Sequence, residues 1–417
     1  MAKIRRTSIR RILIVTLICP YDLGLAVHGI YQRFRMLLEA AAATCAHMDI
    51  LFFVPEGVQG PSDAKSVARA LKQHWGITAN VLFGTIAPRK INAWNFYISP
   101  LWSIRNHPNF AAAGNMSHGR RLNEAIAPDT DLIVAHRLQA ALSVWATGQS
   151  HPPVVLDLDD IEHVRFRREL AAPPFWLGKI IRYLQIPAIL ASEIRAVRLS
   201  AKTFVCSQKD QKYLRRVCRA PQVQVIPNSV ALPVAVPECK RDYMLFVGSY
   251  GYAPNVDAAE FLLREVFPRV YAALPATRLL LVGNSIVSLP SHASGVPGVE
   301  FTGFVENLSE IYAQAAVVCC PIRYGGGTRI KIIEAAAHGA AIVSTSIGAE
   351  GLDFIPGAEI LIRDKSDEFA DACIKLLLDP RAAREMGIKA RSKARRYDRA
   401  RVLEEIAHVY ESSAYVE

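Results

Sequence analysis

Residues 316–339 read AVVCCPIRYGGGTRIKIIEAAAHG, and the order of these parts decides how the rest of the chain is read. The unbroken apolar run from Ala316 to Cys320 has the character of a strand buried on both faces. Gly325, Gly326 and Gly327 follow, and then a helix-period segment. In it Ile330, Ile333 and Ala337 form one stripe, with Lys331, Glu334 and His338 on its neighbour. Three glycines cost backbone entropy and add nothing to packing, so strand, glycine loop and helix together imply a ligand that approaches the backbone closely. The first amides of such a helix carry a partial positive charge of about half an electron. With Arg329 and Lys331 beside them, a diphosphate is the natural guest. The spacing is not the Gly-x-x-x-x-Gly-Lys-Ser/Thr of a P-loop. Glu334, a turn further on, is placed to accept both hydroxyls of a ribose. A surface ion pair between Lys331 and Glu334 is the plainer alternative.

Outward from this stretch the chain alternates apolar runs with helix-period segments. In the first half RILIVTLICP, DILFFVP, NVLFG, DLIVAH, PVVLDLD, KTFVCS and VQVIPN read as strands, with VHGIYQRFRMLLEAAAA, AKSVARALKQHWG and RLQAALSVWATG as helices. The second half repeats the plan with DYMLFVG, RLLLVG, VEFTGF, AVVCCPI, AIVSTS and EILIRD, and ends in a long helix from about Asp367. Such alternation predicts an α/β protein of two doubly wound domains facing a central cleft. In sheets of this kind ligands sit beyond the carboxyl ends of the strands, where the glycine loop lies. The proline-spaced SVALPVAVPECKRD between the halves reads as a hinge.

A chain of 417 residues suits two domains, and 51% hydrophobic with 21% charged residues describes a globular protein. The net charge of +11 welcomes anions. No nucleic-acid-binding signature accompanies it, so nucleotide phosphates or anionic lipid fit better. Eight scattered cysteines without CxxC pairs read as free thiols in a reducing compartment, which makes the cytoplasm the expected location. The opening KIRRTSIRRILIVTLICP imitates a signal peptide, but its apolar run is short and no small-residue cleavage pattern follows, so a first buried strand is expected.

The segment PIRYGGGTRIKIIEAAAHGAAIVSTSIGAEGL resembles the donor-site signature of the family 4 (group 1) retaining glycosyltransferases, which have the GT-B fold of two Rossmann-like domains. FVGSYGYAPNVDAAEFL, LLLVGN, GVEFTGFVENLSEIYAQA, DLIVAH, FVCSQKD and VIPNSV are similar to family segments in the same order. The resemblance implies an N-terminal acceptor-binding domain over 1–230, a hinge over 231–241 and a nucleotide-sugar-binding domain over 242–395. A C-terminal helix, 396–417, would pack back on the first domain. It also implies that Glu334 binds the donor ribose and that Gly325, Gly326, Gly327 and Thr328 receive the diphosphate and distal sugar hydroxyls. His136 would lie near the donor sugar, and Gly24 would belong to a loop closing under the diphosphate. Two departures stand out. The first glutamate of the family's E-x7-E pattern falls at Gly326, and VGSYGYAPNVD lacks the arginine and lysine that many members carry there. Arg329 and Lys331 supply that charge in our reading.

The expected reaction moves a sugar from a UDP- or GDP-linked donor to a glycan or lipid-linked acceptor with retention, as in cell-surface polysaccharide or glycoconjugate synthesis. Cations and amides would stabilise the departing diphosphate, with no metal and no cofactor beyond the nucleotide-sugar substrate. His136, Arg329 and Lys331 are the expected catalytic groups. Asp157, Asp159 and Asp160 in LDLDDIEH could instead hold a divalent metal, as in the other glycosyltransferase fold; they are read here as helix-start and acceptor-side residues. Arginines interleaved with Phe166, Phe175, Trp176 and Tyr183 suit docking on an anionic membrane surface, against the alternative of an ordinary solvated helical face. A nucleotide-sugar 2-epimerase of the same fold and a non-catalytic sugar-nucleotide-binding protein are the competing functions. A dinucleotide oxidoreductase is disfavoured, because no strand leads into a GxGxxG turn with an acidic residue downstream.

Overall fold

A computed structural model describes residues 9–19, 29–55, 63–86, 115–173, 175–235, 241–285 and 296–415. The chain forms two compact units, one of residues Met1–Pro227 with Val402–Glu417, the other Asn228–Arg401. Gly24 and residues 236–240 of the expected hinge lie outside the described residues.

The first unit contains β1 (Ile9–Thr16), α1 (Gly29–Thr44), β2 (Cys45–Pro55), α2 (Ala64–Trp75), β3 (Asn80–Ile86), α3 (Met116–Ala125), β4 (Thr130–His136) and α4 (Leu138–Val144). It continues through β5 (Val154–Asp157), α5 (Glu162–Ala171), α6 (Leu177–Arg182), α7 (Ile186–Leu199), β6 (Lys202–Val205), α8 (Gln208–Cys218) and β7 (Val223–Val225). Its seven strands lie in the order β3-β2-β1-β4-β5-β6-β7, all parallel. The apolar part of the opening, Ile9–Thr16, is thus a central strand. Ile12 and Ile14 of β1 join the core on one face of the sheet and Leu13 and Val15 the core on the other, all fully buried. This is why the strand reads as an unbroken apolar run instead of alternating.

The second unit contains β8 (Tyr243–Val247), α9 (Ala253–Phe261), a π-turn (Leu262–Val266), α10 (Phe267–Ala273), β9 (Arg278–Val282), β10 (Val299–Gly303) and α11 (Ser309–Gln314). Then come β11 (Ala315–Cys320), α12 (Ile330–Ala337), β12 (Ala341–Ser344), β13 (Leu361–Ile362), α13 (Ser366–Leu378) and α14 (Pro380–Ala394). Its parallel sheet runs β10-β9-β8-β11-β12-β13. In both units strand order reverses beside the first strand, between β1 and β4 and between β8 and β11. Helices leave the sheet on opposite sides there, opening a crevice at the strand ends.

The long terminal helix of the sequence reading is three helices. Asp379 accepts from the Ala382 amide at 2.9 Å and Pro380 occupies the first turn of α14, so α13 stops and α14 starts there. A second break follows at Tyr397–Asp398, where the Val230 amide donates to the Tyr397 carbonyl and the Arg399 amide to the Val230 carbonyl, each at 3.0 Å. The last helix, α15 (Arg399–Ala414), places Val402, Ile406, Val409 and Tyr410 in the first unit's core, with Ile12, Val134 and Phe204.

Candidate functional site

The glycine loop leaves β11 at the reversal point of the second sheet, and neighbouring turns hold it. Ser344 Oγ donates to the Cys320 carbonyl at 2.9 Å, and Thr345 Oγ1 donates to the Ile322 carbonyl. Thr345 Oγ1 also accepts from the Gly348 amide at 2.9 Å. Asn228 Nδ2 donates to the buried Thr328 hydroxyl oxygen at 2.9 Å, so that threonine fixes the loop's far end. Gly325 (φ 108°) and Gly327 (φ 71°) adopt left-handed conformations, which other residues enter only with strain. A side chain at Gly325 would also lie 3.1 Å from the Tyr252 hydroxyl and 3.3 Å from Arg329 Nη2.

Arg329 is the residue before the first turn of α12, and its Nη1 donates to the Gly326 carbonyl while Nε has no hydrogen-bond partner among the described residues. Lys331 turns inward. Its Nζ donates to Asn255 Oδ1 at 2.9 Å and sits 4.4 Å over the Phe246 ring, with Asn255 Nδ2 in turn donating to the Ser249 carbonyl at 2.9 Å. Loss of water around Lys331, helped by the charge of Arg329, pulls its pKa down to about 8. Glu334 does not pair with Lys331. It accepts from the Tyr312 hydroxyl at 2.8 Å, and burial raises its pKa against the opposing pull of Tyr312 and Lys331. His338 ends the helix, stacked on Tyr312 at 5.5 Å. The surface ion pair considered from the sequence is therefore not what these residues form. Beside the loop lies a cavity of about 350 Å³ lined by Tyr250, Gly251, Val256, Asp257 and Tyr324 among others.

Sequence reasoning missed Asn255 and Tyr312, the partners of Lys331 and Glu334. Nothing in the sequence around either residue marks it as a partner of the glycine-loop helix. Asn255, after β8, reaches α12 because β8 and β11 are neighbours in the sheet, and Tyr312 reaches it from α11, which directly precedes β11.

In the first unit His136 ends β4 beside the reversal point. Its Nδ1 lies 3.1 Å from Thr16 Oγ1 on β1, and its ring stacks on Phe34 at 5.2 Å. The side chain has no exposed surface. Burial above all, reinforced by Arg137 and Arg33 and opposed by Asp157, holds its pKa down at about 3, so the imidazole is neutral. Asp157 forms a fully buried pair with Arg33, Oδ1 to Nη2 at 2.6 Å, and Arg33 Nη1 donates to the Ile226 carbonyl. That pairing removes Asp157 from the metal-ligand alternative, since its carboxylate is engaged by a guanidinium. Asp159 takes φ 58°, and burial, then the charge of Asp160, push its pKa up to about 7. Among the described residues no group of three or more His, Cys, Asp or Glu side chains is arranged to hold a metal.

Two parallel doubly wound sheets with these connections define a GT-B protein. Solved structures agree over nearly the full length. Sucrose-phosphate synthase from Thermosynechococcus elongatus superposes with a TM-score of 0.68 at 19% identity, covering 97% of this chain and 98% of that one. The Anabaena protein HepE in complex with UDP gives 0.62 at 16%, covering 97% and 100%. Residues 241–379, within the second unit, match the family model described as "Glycosyl transferases group 1". A phosphatidyl-myo-inositol mannosyltransferase of Mycolicibacterium smegmatis is 29% identical over 175 residues, 40% of this chain. An uncharacterized 44.6 kDa protein in the cps region of Klebsiella pneumoniae is 24% identical over 155 residues, 35% of this chain. The matched stretches span 45% and 40% of those two relatives, less than half of each.

Proposed function

We propose that the protein is a retaining glycosyltransferase that takes a sugar from a UDP- or GDP-linked donor to a glycan or lipid-linked acceptor, without a metal. The observation that carries this reading is the position of Lys331. A partly desolvated ammonium, anchored by Asn255, stands in the first turn of a helix that follows a left-handed glycine loop. An ammonium held there with few partners gains most when an anion arrives. Cleavage of the anomeric bond leaves growing charge on a diphosphate, and Lys331, Arg329 and the loop amides meet that charge without reorganising. Retention without a carboxylate nucleophile follows if the departing phosphate takes the acceptor's proton on the same face. Glu334, held by Tyr312, accepts the ribose hydroxyls. His136 acts through its backbone carbonyl and not its enclosed imidazole. Solved relatives in fold were determined with UDP and with UDP-glucose, which supports a uridine donor. The anionic surface of a membrane is the proposed working place, given the basic chain and a lipid-linked acceptor.

Gly326, standing where the family pattern has its first glutamate, favours one second reading, a protein that binds a sugar nucleotide without turning it over. Calorimetry with UDP, GDP and ADP, on wild type and Glu334→Gln, tests the donor site. A preference for one nucleotide, weakened about tenfold in the variant as ribose hydrogen bonds are lost, is expected. Equal affinity in both proteins would remove Glu334 from the site. Release of nucleoside diphosphate from the sugar donor in the presence of an acceptor separates enzyme from binding protein.

A further inference from the structure

The segment around α6 is turned inside out. Its cations face the protein: Lys179 Nζ donates to the Glu169 and Ala172 carbonyls at the end of α5, and the Arg182 guanidinium lies 5.0 Å over the Phe166 ring. Its apolar side chains face water. Phe175 is 75% exposed, Leu177 81% and Ile180 65%, and no residue of α6 is buried. Trp176, Tyr183 and Leu184 are exposed as well, the indole lying across Gly178 so closely that a Cβ there would fall 1.6 Å from it. A helix in water normally turns its apolar stripe inward, so an inverted one marks a surface built for an apolar neighbour.

Charge indicates which neighbour. Helix α8 carries Lys209, Lys212 and Arg216 on one exposed stripe, and it is joined to α5 by the Tyr213 hydroxyl, 2.7 Å from His163 Nε2. Arg167 is exposed one turn beyond His163 on α5. Aliphatic side chains flanked by tryptophan and tyrosine, with a basic stripe on the adjoining helices, match the layered chemistry of a headgroup region above acyl chains. Among the described residues no helix is long and apolar enough to cross a membrane, and α6 reaches only into one leaflet's boundary.

We propose that Phe175–Leu184 inserts into the surface of an anionic bilayer while Arg167 and the α8 cations meet lipid phosphates. The inference deepens the membrane placement proposed above. It needs neither donor nor acceptor, so it stands or falls separately from sugar transfer. The test is sedimentation of the full chain with vesicles of phosphatidylcholine containing about a third phosphatidylglycerol, at low salt and at about 0.5 M salt. Wild type should bind and keep a substantial fraction bound in high salt, because inserted apolar groups are not screened. Leu177→Glu/Ile180→Glu, at exposed positions, should fold normally by circular dichroism and lose binding about tenfold or more in both conditions. Lys212→Glu/Arg216→Glu should lose binding mainly at low salt. Unchanged binding by the Leu177/Ile180 variant would overturn insertion. So would wild-type self-association in the ultracentrifuge that this variant abolishes without any vesicle binding, which would make a second copy the occupant.

Discussion

Lys331 sets two opposed quantities with one side chain. Its pKa, pulled down to about 8 by loss of water, lies below the ordinary lysine value of 10.5. Between those two pH values the unfolded chain therefore binds more protons than the folded one. By linkage the lysine's cost to stability is fully present below pH 8 and relieved as pH rises toward 10.5. Lys331→Met should raise stability at pH 7 by about 1–2 kcal/mol, seen as a higher melting temperature, while abolishing nucleotide diphosphate binding. In wild type, affinity for the preferred nucleoside diphosphate should fall several-fold between about pH 7 and pH 9.5 as the ammonium deprotonates. Lys331→Arg should flatten that profile, because a guanidinium stays charged. A parallel fall in the arginine variant would assign the titration to another group. His136, neutral down to about pH 3, should contribute nothing to a pH profile between 5 and 9.

At the scale of the element, the glycine loop is a rigid device and not slack chain. Gly325→Ala combines a disfavoured φ of 108° with contacts at Tyr252 and Arg329. The cost should be about 1–3 kcal/mol of local strain, displacing the loop while the sheet beneath it stays folded. The expected outcome is a small drop in melting temperature with loss of nucleotide binding by calorimetry. Gly348→Ala acts differently, since its Cβ would fall 2.4 Å from the Cys320 carbonyl under the loop. That change should lower stability more than the loop substitution does, as backbone at the strand end must move.

For the whole molecule, the last helix is part of the first unit's interior although the second unit precedes it in the chain. Val402, Ile406, Val409 and Tyr410 are each buried to within a few per cent. Burial of four such side chains is worth roughly 6–12 kcal/mol as an upper estimate, comparable with the net stability of a domain. A chain ending at Asp398 should therefore expose the face formed by Ile12, Ile14 and Val134, bind a hydrophobic dye and aggregate. Retention of a cooperative melt equal to the full chain's would show that the helix is dispensable.

The alternation of apolar strands with helices, the parallel sheets and the left-handed glycine turn at Gly325–Gly327 were legible in the sequence because each rests on local facts. These are doubly buried strands read as unbroken apolar runs, and glycines placed where no packing role accounts for them. The family resemblance, carried by DLIVAH, FVCSQKD and VIPNSV in the first half and by segments from Phe246 to Leu352 in the second, rests on local runs for the same reason. Partners were another matter. That Lys331 meets Asn255 and Phe246 instead of Glu334, and that Asp157 pairs with Arg33, depend on groups far apart in the chain. Helical period states which residues share a face but not what that face meets. Only the order of strands in a folded sheet brings the other half of each pair into reach.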